Sequence, residues 1–321
     1  MSIFRYNFLV LFLLCISQIQ AQDVSLYQQF NGRYDFLFFG NTMNPMENHI
    51  MPTPEIFTSS SAGFTLNDGD IIHRAFLYWA GCGMGDFEVE LNSQPLVAER
   101  TFHHQRMWQT LTMDYFSAFY DVTPILQNTG AGTYTLSELD APGVFPHYFY
   151  NKTNFAGWAV IVIVENPDFP LNQLNLYDGM QAVPDELTIT LNSLNVIDNV
   201  GAKIGFLAWE GDKNIASGET LSLNGQPLSN PPLNPENNAF NGTNSFTGSD
   251  ELYNMDLDVY DIQDYISITD SVATIRLTSG QDVVMINAIV TKLNSQLPDA
   301  TISIDSVALQ CSSRILTVDF T

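Results

Sequence analysis

The stretch FLYWAG, from Phe76 to Gly81, returns about 130 residues later as FLAWEG, from Phe206 to Gly211. Each copy has an aromatic residue, a leucine, a tryptophan and a glycine in the same order, within an apolar run that is typical of a buried strand. Either two tryptophans line two ligand platforms, or one fold unit was copied and kept its core.

Four further segments repeat in the same order, which indicates a tandem duplication. If one unit was copied, Trp79 and Trp209 should be equivalent core anchors. The paired segments are AGFTLN (62–67) with LTITLN (187–192), LNSQPL (91–96) with LNGQPL (223–228), FYDVTPIL (119–126) with VYDIQDYI (259–266), and WAVIVIVEN (158–166) with VVMINAIVT (283–291).

Strand signals dominate the chain, and no long stretch carries a clear apolar period of 3.6 residues. GWAVIVIVENP, from Gly157 to Pro167, is nearly all apolar and predicts a central strand buried on both faces. LNSQPL and LNGQPL read as hairpin turns, and the segments around 119–126 and 259–266 as short helical turns. The sequence predicts an all-β fold of two tandem duplicated β-sandwich units, jelly-roll-like, with short helical turns.

We expect four segments along the chain. A signal peptide occupies residues 1–21, the first unit 22–168, the second unit 169–298, and a linker with the start of a further, truncated β domain 299–321. Cys82 and Cys311 remain after signal cleavage. A bridge between them is one reading, and pairing of Cys311 with a partner beyond residue 321 is the favoured one.

The first residues carry the marks of export. Arg5 supplies a positive start, Phe8 to Ile16 an apolar core too short for a membrane span, and Ala21 the residue before cleavage. We therefore expect a secreted or cell-surface protein with no membrane insertion after signal cleavage.

The 321 residues include 35 acidic and 11 basic ones, a formal net charge of −24. Such a surface repels phosphate backbones and anionic lipid headgroups, which excludes nucleic acid and disfavours anionic membranes as partners. Acidic loops suit divalent cations, calcium above all. The alternative is that the charge serves solubility.

Three acidic clusters are candidate calcium sites: NDGD (67–70), EGDKN (210–214) and MDLDVYD (255–261). EGDKN is favoured, because Glu210 and Asp212 lie in a turn where backbone carbonyls also become free. Asp256 and Asp258 share one face of a strand. None of the three matches a twelve-residue EF-hand loop, and turn and cap chemistry is the competing explanation. Calcium is the only cofactor that the sequence suggests.

Trp108 lies in the polar stretch HHQRMWQT and is the candidate ligand-binding residue, as a platform for stacking a sugar ring. The alternative is a half-buried loop anchor. The other three tryptophans lie in apolar runs and are expected in the core.

The sequence predicts no catalytic residue. The five histidines do not have metalloprotease spacing, and there is no nucleophile elbow, phosphate loop or dinucleotide fingerprint. Carboxylate pairs can be found anywhere among 35 acids, so they do not identify a glycosidase. We therefore expect a protein that is not an enzyme.

Six segments in order resemble the N-terminal region of large exported Bacteroidetes surface proteins. Many of those proteins end in the gliding-motility-associated sorting domain of type IX secretion. The resemblance covers most of residues 27–298, and implies export and surface display in adhesion, with further domains of the same polypeptide; it implies no catalytic residue. The segments are FTSSSAGFTL (57–66), RAFLYWAG (74–81), GTYTL (132–136), AGWAVIVIVENP (156–167), LYDGM (176–180) and FLAWEGD (206–212).

The expected function is therefore a non-catalytic, exported cell-surface β-sandwich module for adhesion or ligand binding, with surface glycans or other extracellular molecules as partners. A carbohydrate-binding module or carbohydrate-active enzyme is one alternative, since jelly rolls often bind sugars. A purely structural stalk segment is the other.

Overall fold

The computed structural model describes residues 23–108, 110–141, 146–183, 185–295, 304–310 and 315–320, so the predicted signal peptide lies outside the described residues. The described chain is mostly strand. Two short helices are α1 (Thr123–Thr129) and α2 (Pro146–Asn151). In chain order the strands are β1 (Ser25–Gly32), β2 (Tyr34–Thr42), β3 (Ser59–Phe64), β4 (Ile71–Cys82), β5 (Glu88–Leu91), β6 (Gln94–Val97), β7 (Arg100–Trp108), β8 (Leu111–Asp121), β9 (Gly132–Ser137), β10 (Ala156–Glu165), β11 (Asn172–Ala182), β12 (Asp185–Asn192), β13 (Asp198–Trp209), β14 (Thr220–Leu223), β15 (Gln226–Pro227), β16 (Met255–Asp261), β17 (Val272–Ser279), β18 (Met285–Asn294), β19 (Ile304–Gln310) and β20 (Ile315–Phe320).

Four antiparallel sheets form two sandwiches, which confirms the predicted all-β sandwich fold. Sheet I has the order β2-β10-β4-β8-β7 and faces sheet II, with the order β3-β9-β5-β6. Sheet III has the order β1-β11-β18-β13-β16 and faces sheet IV, with the order β12-β17-β14-β15. The strands β19 and β20 pair with each other in the segment predicted as linker and further domain.

The strand order of the first sandwich recurs in the second. The four-strand order β2-β10-β4-β8 corresponds to β11-β18-β13-β16, and all of sheet II corresponds to all of sheet IV. Each large sheet adds one edge strand of its own, β7 in sheet I and β1 in sheet III. Because β1 pairs with β11, a strand within the predicted first unit lies in the second sandwich.

Three hydrophobic cores separate the four sheets. The first core fills the space between sheets I and II, and the second core the space between sheets III and IV. A third, the middle core, is built by residues of both sheets I and III, so the sandwiches pack against each other through these sheets. The layer order is therefore II, I, III, IV.

The middle core explains why the central strands are apolar at nearly every position. In β10, Ile161 lies in the middle core, whereas its neighbours Val160 and Val162 lie in the first core. Successive side chains on a strand point to opposite faces, so a strand with a core on each side needs apolar residues at every position. The prediction for residues 157–167 is confirmed.

The expectation that Trp79 and Trp209 are equivalent core anchors is wrong, although both are fully buried. Trp79 lies in the first core, and Trp209 lies in the middle core. The neighbouring aromatics are exchanged too, because Phe76 belongs to the middle core and Phe206 to the second core. A shift of one residue moves every side chain of a strand to the other face of the sheet. Residues that align in the two repeats therefore point to different cores.

The two repeated hairpin turns are as predicted. Asn92 and Ser93 join β5 to β6 with φ of 51° and 63°, and Asn224 and Gly225 join β14 to β15 with φ of 51° and 81°. Two successive positive φ values favour the primed turns that match the twist of a hairpin.

The first helical turn forms α1, without a side-chain cap. The hydroxyl of Thr123 accepts a hydrogen bond of 2.9 Å from the backbone N–H of Ala75, and gives no side-chain cap to α1. In the second copy, the segment after Asp261 forms turns rather than a helix. Among the described residues, no helix is long and apolar enough to cross a membrane.

Candidate functional site

A cleft of about 380 Å³ is the strongest candidate site in the described chain. It lies where the end of β7 and the α2 segment of the first sandwich meet the loops after β13 and before β18 of the second. A larger groove of about 500 Å³, beside Phe64 and Phe246, is lined by apolar residues, glycines and threonines without a titratable side chain. We therefore place the candidate chemistry in the smaller cleft.

The floor of the cleft is acidic. One carboxylate oxygen from each of Glu210, Asp212 and Asp282 lies within 4.8 Å of the other two. A second group shares Asp212, and joins it in the same way to Glu47 and His49. All four acids are buried, with at most 3% of each residue exposed.

A tight turn after β13 brings two of these acids together. Glu210 has a φ of 77°, a left-handed conformation that costs free energy in a residue with a side chain. Its backbone N–H donates to the carbonyl of Asn254 at 2.7 Å, and the N–H of Asp212 donates to Asp282 Oδ2 at 2.9 Å. The turn is thus held on both sides by the second sandwich.

Amide side chains orient the carboxylates. Asn48 Nδ2 donates to Glu210 Oε1 at 2.8 Å, and Asn254 Nδ2 donates to Asp212 Oδ1 at 3.1 Å. Asn254 Oδ1 in turn accepts from the backbone N–H of Asn48 and from Asn44 Nδ2, both at 2.9 Å. The loop after β2 and the turn after β13 therefore form one network.

Several oxygens of this network have no hydrogen-bond partner. They are Glu210 Oε2, both side-chain oxygens of Glu47, and the amide oxygens of Asn48 and Asn238. Each is a buried acceptor, and leaving one unsatisfied costs about 1–3 kcal/mol, more for a charged group. The network at and behind the floor of the cleft therefore contains several buried oxygen acceptors without a donor.

Burial and mutual repulsion shift the acids in one direction. Burial, and then the charges of Asp212 and Asp282, raise the pKa of Glu210 well above its ordinary value. Burial and the neighbouring Glu47 raise the pKa of Asp212 to about 8, and burial raises the pKa of Glu47 to about 7. The protein therefore disfavours bare negative charge here, so the group binds protons or another cation more readily than isolated carboxylates do.

Asp256 and Asp258, the other two sequence candidates for calcium, anchor the long loop before β16. Asp256 Oδ1 accepts hydrogen bonds of 2.9 Å from three successive backbone N–H groups, those of residues 241–243. Asp258 accepts from Ser245 Oγ at 2.9 Å and Asn234 Nδ2 at 2.9 Å. Neither belongs to the two convergent groups at the floor of the cleft.

Acidic cluster NDGD is explained by turn chemistry. Asp70 Oδ2 accepts from the backbone N–H of Asn67 at 3.0 Å, and Asp70 Oδ1 accepts from Asn166 Nδ2 at 2.8 Å. This is the competing explanation that the sequence left open for such clusters.

Trp108 lines the same cleft as the acids, at the end of β7 and 40% exposed. The guanidinium of Arg106, two residues before it on the strand, lies 4.9 Å from the centre of the indole ring. Arg106 Nη1 is buried without a hydrogen-bond partner, and Tyr150 adds a second exposed ring. The rim thus offers aromatic surface and one unused donor above the acceptors of the floor.

Sequence reasoning found Glu210, Asp212 and Trp108, but missed Glu47, His49 and Asp282. Glu47 and His49 lie two residues apart in the loop after β2, and Asp282 lies far from them in the chain, directly before the apolar run that leads into β18. None of the three carries a spacing signal that points to this site.

No family model matches the chain, and no curated protein matches it. Among solved structures, the chain is similar to two crystal structures of BuGH86 in complex with neoagarooctaose, one wild-type and one a variant. Each match has 12% sequence identity and a TM-score of 0.26, and covers 84% of this chain and 33% of the other. The chain thus spans about a third of the length of these structures, and a likeness at this level carries no argument about function.

Proposed function

We propose that this chain is a non-catalytic, exported β-sandwich module that binds a neutral saccharide in the cleft beside Trp108. The observation that supports this best is the combination of an exposed indole with buried, unpartnered polar atoms in one cavity. Export and display at the cell surface are part of the proposal, and are supported by the signal-like start of the sequence.

Saccharides match both parts of the cleft. The C–H face of a sugar ring packs on an exposed aromatic side chain, which gains burial of apolar surface. Sugar hydroxyls donate and accept, so a hydroxyl can accept a hydrogen bond from Arg106 Nη1 at the rim. Filling such unsatisfied groups adds affinity, because the protein has already met the cost of burying them.

Binding without hydrolysis fits the floor better than glycosidase chemistry. The two carboxyl groups of a glycosidase flank the bond to be cleaved, about 5–5.5 Å or 6.5–9.5 Å apart. Here one oxygen from each of Glu210, Asp212 and Asp282 lies within 4.8 Å of the other two. This close spacing supports three ligands around a single centre more than an acid and a base on opposite sides of a sugar.

A microarray of neutral oligosaccharides, probed with the purified protein, tests the proposal. We expect binding to a defined subset of glycans, and a loss of at least about tenfold in affinity in Trp108→Ala, since base or sugar stacking on one ring is worth about 1–3 kcal/mol. The matched control is Phe57→Ala, which removes an exposed aromatic ring that does not line this cleft.

Two results would overturn the proposal. One is silence on every glycan, which favours the stalk alternative. The other is glycan binding that Trp108→Ala leaves unchanged, which moves the site elsewhere. Incubation of each bound glycan with the protein, followed by mass spectrometry, would reveal hydrolysis and would overturn the non-catalytic part.

A further inference from the structure

The oxygen set at the floor of the cleft has a use of its own. We propose that Glu210, Asp212 and Asp282 bind one divalent cation of the calcium class. This inference stands whether or not a saccharide binds above it, because it concerns the floor and not the aromatic rim.

The geometry is that of ligands around one ion. Calcium–oxygen distances are about 2.3–2.6 Å, so two oxygens on one ion are at most about 5 Å apart. The three carboxylates meet this limit, with all three chosen oxygens within 4.8 Å of one another. They come from two separate loops, so sequence proximity alone does not bring them together.

The unpartnered oxygens are the independent observation that points to a ligand. Glu210 is 1% exposed and its Oε2 has no hydrogen-bond partner, although Asn48 fixes the other oxygen of the same carboxylate. Asn48 Oδ1 is likewise buried and unpartnered. Calcium takes 6–8 oxygens, and this set supplies carboxylates, an amide oxygen and access for water from the cleft.

Charge balance supports the same conclusion. Among the described residues, the salt bridges that reach these acids come from His49, whose Nδ1 lies 3.5 Å from Asp212 Oδ1. Besides His49, the Arg106 guanidinium acts on Glu210. Three carboxylates buried side by side with so little counter-charge are costly. One divalent cation would neutralise two of the three negative charges of these carboxylates.

Oxygen ligands favour calcium over zinc. The overlapping group of Glu47, His49 and Asp212 has one nitrogen ligand and would suit zinc. Both groups contain buried atoms without a hydrogen-bond partner, but the all-oxygen group has the harder donor set, so we assign the ion to it.

The test uses the purified protein, stripped with EDTA and titrated with CaCl₂ in a calorimeter without saccharide. We expect one site, a higher melting midpoint with calcium, and terbium luminescence sensitised by tryptophan that calcium displaces. Asp212→Asn should bind calcium at least about tenfold more weakly, since even outer-shell changes cost 10–100-fold. The matched control, Asp250→Asn, removes an exposed acid and should bind as wild type.

The melting midpoint in EDTA distinguishes a purely structural role of these acids from a role in binding the cation. Asp212→Asn and Glu210→Gln remove a buried charge and keep the shape, so each should melt in EDTA at or above the wild-type midpoint and lose the rise with calcium. A large fall in EDTA for both variants would overturn the proposal, as would wild-type protein that binds no calcium. Binding of zinc alone, abolished by His49→Ala, would overturn the choice of the all-oxygen group.

Glycan binding and calcium binding are measured separately, so failure of the saccharide proposal can be distinguished from failure of the cation proposal. Calcium binding without any glycan binding would leave the cation site intact and remove the function proposed for the rim. Glycan binding that is unchanged in EDTA, with no heat on addition of calcium, would support the saccharide function and rule out the cation site.

Discussion

Lys203 Nζ lies 2.5 Å from Asp35 Oδ1, and Lys292 Nζ lies 2.8 Å from Asp35 Oδ2. Asp35 belongs to β2 in sheet I, and both lysines belong to sheet III. One carboxylate therefore joins the two sandwiches at the edge of the middle core through two ammonium groups.

This triad predicts acid sensitivity of the packing between the sandwiches. Burial alone would raise the pKa of Asp35, but the two lysines outweigh it and lower the pKa below its ordinary value. A group with a depressed folded pKa contributes stability above the unfolded pKa of about 3.9, and that stability is lost as pH falls through the folded pKa. Urea midpoints measured from about pH 6 to pH 2 should fall less steeply in Asp35→Asn than in wild type. Parallel curves would contradict the assignment.

Much of the fold could be predicted, because strand signals and repeats are local. The hairpin at Asn92 and Ser93, and the two-sided burial of residues 157–167, follow from turn chemistry and apolar runs. The sequence could not predict which core Trp79 and Trp209 enter, because both faces of each strand are apolar and apolar residues do not alternate with polar ones. Because the middle core covers the second face of these strands, neither face is polar, and the sequence does not show which residues point to which core.

Arg100 and Asp178 form a second tie between the sandwiches. The guanidinium donates two hydrogen bonds to the carboxylate, at 2.6 and 2.8 Å, and Tyr78 Oη donates a third at 3.0 Å. Asp178→Asn leaves the Arg100 charge without its partner; because the Arg100 side chain is 35% exposed, we expect a loss of about 1–2 kcal/mol of unfolding free energy, below the range for fully buried pairs.

Urea denaturation compares this variant with Glu186→Gln. The side chains of Glu186 and Arg276 pair at 2.8 Å, but each is half exposed, so the control should unfold as wild type does. An Asp178→Asn protein as stable as that control would show that the tie contributes nothing.

Asn287 is the polar hub of the middle core. Its Oδ1 accepts from Trp209 Nε1 at 2.9 Å and from Ser117 Oγ at 2.6 Å, and its Nδ2 donates to the carbonyl of Gly179 at 2.7 Å. Asn287→Leu keeps a side chain branched at Cγ but leaves three buried partners unsatisfied, at about 1–3 kcal/mol each, so we expect a loss of about 3 kcal/mol or more of unfolding free energy.

A double-mutant cycle checks the cause of that loss. Ser117→Ala should cost less in the Asn287→Leu background than in wild type, because it removes one of the unsatisfied groups. Additive losses would mean that packing, and not the hydrogen bonds, explains the effect.

Cys82 is expected to be inert in the folded protein. It is a free thiol, fully buried, and burial raises its pKa to about 12. Thiolate is the reactive form, so a thiol reagent at pH 8 should modify Cys82 only after denaturant is added. The measurement uses a chain with Cys15→Ser and Cys311→Ser; Cys311 itself lies outside the described residues, so its pairing stays a prediction. Rapid labelling of the native protein would contradict the burial of Cys82.

The candidate site was predictable only in part, for a physical reason. The sequence identifies Glu210 and Asp212, because acidic residues directly after a buried strand are easily recognised. Glu47 and Asp282 reach them through long-range packing of loops, and no local pattern encodes a contact across 70 or more residues of chain. Asp256 was a second calcium candidate in the sequence, but its Oδ1 anchors three backbone donors of a loop, and Asp256 belongs to neither convergent group.

Gly211, between the two central acids, offers the sharpest test of the turn itself. A Cβ at this position would lie 2.5 Å from the carbonyl oxygen of Phe240 and 2.6 Å from Asp256 Oδ2, closer than real contacts allow. Gly211→Ala must therefore move the loop that covers β16, and overpacking of this kind costs about 1–3 kcal/mol.

The matched control is Gly248→Ala, at a glycine with a φ of 71° and no atom within 4 Å of the added Cβ. It adds a methyl group without a clash, at a positive φ that Gly211 does not have, and it leaves the turn after β13 unchanged. If the floor of the cleft binds calcium, Gly211→Ala should lose the calcium-dependent rise in melting midpoint, and Gly248→Ala should keep it. Because Gly211→Ala alters no ligand, equal calcium responses in the two variants would mean that the geometry of this turn does not set the spacing of Glu210 and Asp212.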